Sequence, residues 1–136
     1  MYKEHLDKGQ PFSMAAIREF VKNFKTQISK KTSLKEAFTD AKGEIREAEF
    51  FGRNKIATLL DTSKIGKEVL GIRVYYGLAP EDGERNLAAG GKLCPRLFLV
   101  PVGMDGKDLT FDTSCLKDGG DGDGLGGGAP QPPYQA

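Results

Sequence analysis

The sequence predicts a single small α+β domain, and three observations carry that expectation. Met14, Ile17, Phe20, Val21, Phe24 and Ile28 recur at helical spacing and make one apolar stripe. The runs GIRVYYGL (71–78) and PRLFLVPVGM (95–104) read as strands with no helical pattern between them, so they pair antiparallel rather than through a crossover. A chain of 136 residues, 38% hydrophobic and 29% charged, has the material for one modest core. The expected domain covers residues 12–115, a small and mostly antiparallel sheet packed on the amphipathic N-terminal helix. Residues 1–11 form a loose arm before it, and residues 116–136 a flexible Asp/Gly/Pro-rich tail after it.

Each element has a local reason. Ser13 precedes the apolar stripe and is placed to cap the first helix. In KKTSLKEAFTDAKG, Ser33 and Glu36 form a capping box, Leu34, Ala37, Phe38 and Ala41 share a face, and Gly43 stands where a left-handed stop is wanted, which predicts a second, short helix. REAEFFG alternates Ala48 and Phe50 with Glu47 and Glu49, a half-exposed strand. Asn54 is positioned to cap a third helix reaching Asp61, with Ile56, Leu59 and Leu60 inward. Within GIRVYYGL, period-two geometry sends Ile72, Val74 and Tyr76 to one face and Arg73 and Tyr75 to the other. This reading sends Arg73 to water and its aliphatic neighbours to the interior. Pro80, Asp82 and Gly83 mark a turn. Pro101 lacks a ladder donor and predicts a sheet edge or a bulge for its strand. Asp105-Gly106 reads as a hairpin turn, after which residues 108–111 return as a short third strand. The glycine-rich C-terminal run has too few apolar side chains to offset its ordering entropy unless Leu125, Pro132, Pro133 and Tyr134 fold back.

Composition excludes several kinds of function. No eighteen apolar residues run together and the first residues contain no apolar signal segment, so a cytoplasmic protein is expected. Cys94 and Cys115 lie 21 positions apart with no local His or Cys partner, which builds neither a zinc site nor a CxxC motif. GGDGDGL suggests a calcium loop, but an EF-hand alignment puts Gly119 at the first ligand and Pro130 at the bidentate glutamate, and a nonapeptide repeat would need aspartate at Gly124. No metal and no cofactor are expected. The only histidine, His5, lies on the arm, which argues against histidine catalysis. Nucleotide-binding glycine loops and a nucleophile elbow are absent from the sequence. Residues 1–43 hold nine Lys/Arg against five Asp/Glu, and the rest eleven against fourteen. Arg18, Lys22 and Lys25 line one helix face and are read as its solvated side. Nucleic-acid binding is disfavoured because the remainder of the chain is net acidic.

The order AEFFGRNKIATLL, GIRVYYGL, PRLFLVPVGMDGKDL and a tail ending in PPY resembles a family of small bacterial proteins with no assigned function. The resemblance covers about residues 48–111 and the last few residues. Two features depart from that pattern: the stretch from Glu81 to Cys94 is lengthened, and the closing PPY lacks flanking cysteines. The resemblance implies a shared fold and no chemistry.

These readings converge on a non-enzymatic binding or protein-interaction module, with a homodimer through a sheet edge as one form of it. The competing expectation is a small-ligand protein or enzyme whose pocket gathers Arg73, Tyr75, Asp105 and Asp108, with no catalytic residue assigned.

Overall fold

A computed structural model describes residues 7, 9–30, 38–40, 42–61, 66–109 and 124–131. In chain order these form β1 (Gln10–Phe12), α1 (Met14–Ile28), β2 (Ala48–Phe50), α2 (Arg53–Leu59), β3 (Val69–Glu81), β4 (Lys92–Gly103), β5 (Gly124–Gly126) and β6 (Ala129–Gln131). The fold is α+β. An antiparallel sheet runs in the order β1-β5-β4-β3, and β2 pairs with β6 in a second, two-stranded sheet.

Helix α1 starts where its cap predicts, with the Ser13 hydroxyl accepting from the Ala16 amide at 3.1 Å. Its apolar face supplies Met14 and Ile17 to a core completed by Ala79, Phe98 and Val100, with Phe12, Phe20 and Tyr75 packed around them. Phe12, Phe20 and Phe98 form a ring cluster with centroids 5.0–5.7 Å apart, two pairs edge-on and one stacked. Gly77 lets the helix close on the sheet. A Cβ there would lie 3.0 Å from both Phe20 and Phe98.

The alternation of β3 is as expected, but its faces are exchanged. Tyr75 and Ala79 pair with Phe98 and Cys94 and look toward the core, while Ile72, Val74 and Tyr76 are exposed. The helix approaches at the side-chain-free Gly77, so the parity of Gly77 becomes the inner face. Arg73 shares that parity but lies far enough along the strand to remain exposed.

Pro101 does not mark an edge strand, because β4 lies between β5 and β3. The Pro101 carbonyl accepts from Leu109, that of Pro95 from Arg46, and the Leu97 amide donates to Glu49. These odd-numbered residues therefore aim their backbone groups away from β3, toward a side that β5 meets only at the Leu99–Leu125 pair. Both prolines sit where no ladder donor is required.

Two described segments near the ends of the chain, residues 10–12 and 124–131, are more ordered than their composition suggests. Gln10–Phe12 is a strand rather than loose arm, and Gly124–Gly126 and Ala129–Gln131 return as β5 and β6 instead of a flexible tail. Leu125 is buried between Leu99 and Pro11, and the glycines beside it admit close neighbours: a Cβ at Gly126 would lie 2.5 Å from the Phe98 ring. Residues 110–123 and 132–136 are outside the described residues, as is most of the expected second helix. Gly43 has the expected left-handed φ of +82° but closes a tight loop from Asp40 to Glu44, flanked by a Thr39–Ile45 bridge, so no helix reaches it. Helix α2 is capped by Gly52, not Asn54, whose side chain instead donates to Asp7 at 3.0 Å; Leu59 is buried and Leu60 exposed.

Candidate functional site

Three of the four residues singled out as a possible pocket do meet. Arg73 and Tyr75, on the same parity of β3, both reach Asp108, which lies just past the β4 hairpin and bridges Val102. The second guanidinium nitrogen of Arg73 donates to the Gly106 carbonyl at 3.1 Å. A hydrogen bond donated to Tyr75 and the Asp108 charge hold the Arg73 guanidinium above its ordinary pKa. Burial and the acceptor Asp108 push the Tyr75 hydroxyl up, against the opposing effect of Arg73. Asp105 stands apart, its Oδ1 accepting from the Lys107 amide within the turn. Each Asp108 oxygen already has a donor, so the cluster is a closed clamp that fastens the hairpin to β3.

Sequence reasoning missed the most heavily charged site of the interior. Asp40, Arg46, Glu49, Glu81 and Arg96 have side chains at most 4% exposed, and Arg85 joins them at the rim. Arg46 grips Glu81 with two nitrogens at 2.7 and 2.8 Å and reaches Asp40 at 3.3 Å. Arg96 bonds Glu49 at 3.0 Å, Glu81 at 3.3 Å and the Gly128 carbonyl at 2.7 Å, tying β2, β3 and β4 to the approach of β6. Burial would raise the Asp40 carboxyl, but the amides of Glu44 and Lys42 and the guanidiniums of Arg85 and Arg46 outweigh it and hold it below its usual range. For Arg46 burial is likewise outweighed, by Glu81 and Asp40, and its pKa is raised. Three carboxylates meet three guanidiniums, so no net charge is left to attract a ligand. The signal was a parity one: Glu49 was placed on the wet side of β2, yet Arg96 shares its parity with the core residues Phe98 and Val100.

The sheet's outer edge is the third feature. Residues Ile72, Val74 and Tyr76 pair with Pro101, Leu99 and Leu97, the odd-numbered set of β4, so their own N–H and C=O groups point away from β4. Farther along, that outward row is occupied: the Leu78 carbonyl accepts from Asn23 Nδ2 at 3.3 Å, and the Pro80 carbonyl from the Ala88 amide at 2.9 Å. Among the described residues no strand pairs with the edge at Ile72–Tyr76. The side chains there are apolar and open, with Ile72 37%, Val74 48% and Tyr76 59% exposed. Phe24 stacks on Tyr76 with centroids 5.8 Å apart and bounds this stretch at its helix end.

Among the described residues no group of three or more His, Cys, Asp or Glu side chains could hold a metal ion, and no helix is long and apolar enough to cross a membrane. Cys94 is buried at the start of β4, which argues against a role as nucleophile; His5 and Cys115 lie outside the described residues. Compared with protein-family models, curated proteins and solved structures, the chain matches none.

Proposed function

We propose that the chain is a non-enzymatic protein-interaction module whose open β3 edge takes a second copy of itself by antiparallel strand pairing. The observation that carries this reading is the coincidence, at Ile72, Val74 and Tyr76, of outward-pointing backbone groups and exposed apolar side chains. A long apolar edge strand is an association template unless blunted by charge, proline or a bulge, and the stretch 72–76 has none of these on its outward row. A two-fold axis at Val74 sets Ile72 opposite Tyr76 of the other copy and Arg73 opposite its Tyr75. Apolar residues then meet apolar ones, and no like charges face each other. Main-chain hydrogen bonds would supply the affinity, as in other strand additions. The setting proposed is the bacterial cytoplasm, on the sequence resemblance and the low cysteine content.

Size-exclusion chromatography with light scattering tests this. The wild type should approach twice its chain mass as concentration rises to tens of micromolar, while Val74→Lys stays at one chain mass with unchanged helix and sheet content. A wild type that remains monomeric, or a Val74→Lys variant that still pairs, overturns the proposal. The alternative of a small-ligand pocket at Arg73, Tyr75, Asp105 and Asp108 ranks lower, because Asp108 is fully engaged and Asp105 faces its own turn.

A further inference from the structure

The solvated face of α1 is not a plain convex surface. Arg18, Lys22 and Lys25 border a depression of about 390 Å³ between the helix and the sheet, with Met14 and Val21 on its helix side and Tyr75 as its wall on the sheet. Arg18, Lys22 and Lys25 are exposed, and among the described residues no carboxylate pairs with any of them. The carboxylate that holds the Tyr75 hydroxyl, Asp108, has Arg73 as its own counter-ion. The basic helix face and Tyr75, distant in sequence, therefore line one groove whose helix side carries uncompensated positive charge.

We infer that this groove binds a small organic molecule carrying two adjoining phosphate groups. At a rise of about 1.5 Å per residue the cations from Arg18 to Lys25 span about 10 Å, more than a single phosphate can bridge and well suited to a diphosphate. Arg18 can take one phosphate with a two-pronged guanidinium contact, while the lysines act as point charges on the other. The apolar surface of Met14 and Val21 and the ring of Tyr75 give the organic part a place to lie. A long nucleic acid fits less well, since the basic stretch is one short groove on a chain whose formal net charge is only +1.

Isothermal titration with inorganic pyrophosphate and with ADP tests this inference on the full chain. The wild type should bind both with one-to-one saturation, ADP more tightly, and affinity should fall as salt is added. The double variant Lys22→Gln/Lys25→Gln should lose about tenfold or more, the worth of a charge-assisted contact. Lys30→Gln, beyond the helix end, should bind as the wild type does. Val74→Lys should also bind unchanged, so failure of the edge pairing and failure of this site are told apart. Absence of saturable pyrophosphate binding, equal binding by the Lys22/Lys25 variant, or retention of duplex DNA that pyrophosphate does not displace would each overturn the assignment.

Discussion

Arg73 shows how one residue can obey the strand period and still be structural. It stays exposed, yet it spans from β3 to Asp108 and the Gly106 carbonyl and so pins the β4 hairpin. Replacing Asp108 by Asn leaves one carbonyl acceptor for two donors, the Arg73 guanidinium and the half-buried Tyr75 hydroxyl, and should cost about 1–2 kcal/mol in urea unfolding. Tyr75→Phe, which removes the donor instead, should cost less. The Tyr75 phenol should titrate above its ordinary value in absorbance spectra of the folded protein. The buried network is less forgiving. Glu81→Gln leaves both Arg46 and Arg96 facing a neutral side chain in the interior and should cost about 3–5 kcal/mol. Three residues of the clamp were named from the sequence, whereas the buried network could not be read from spacing, since Arg46 and Glu81 lie 35 positions apart.

At the scale of elements, the parts with strong local signals were legible. Helix α1 came from six apolar positions and a serine cap, and the β3–β4 pairing from two apolar runs with no helix between them. The errors trace to features that only packing decides. Gly77 chose which face of β3 became the inside, and two prolines fell on the side of β4 that needs few donors. The glycines of β5 read as a flexible linker because composition registers their lack of side chains as entropy; in the folded protein that same lack lets β5 lie against Phe98 and Ile17. Gly126→Ala should therefore destabilise by about 1–3 kcal/mol through overpacking. Gly83→Ala, with nothing within 4 Å of its Cβ position, should be nearly neutral by thermal melting.

The whole molecule combines a small aromatic core with a charge network that binds the second sheet to the first. Its acid stability should follow from Asp40, whose folded pKa is depressed. The stabilisation is complete above the unfolded value of about 3.9 and is lost as pH falls through the lower folded one. Equilibrium unfolding between pH 6 and pH 2 should show this loss in the wild type and a shallower one in Asp40→Asn, which starts less stable. The chain's outline as an α+β domain was visible in its sequence, but its open edge was not, because the strand expected at the edge is central and β3, whose Ile72, Val74 and Tyr76 were expected in the interior, lies outermost. The most direct test of the edge is amide hydrogen exchange on β3 at rising protein concentration. The amides of Ile72, Val74 and Tyr76 should exchange fast in dilute solution and become protected together as copies pair, while Arg73 and Tyr75, bonded inward to β4, stay protected throughout. If the three outward amides exchange at the same fast rate at every concentration, β3 does not join two copies of this chain.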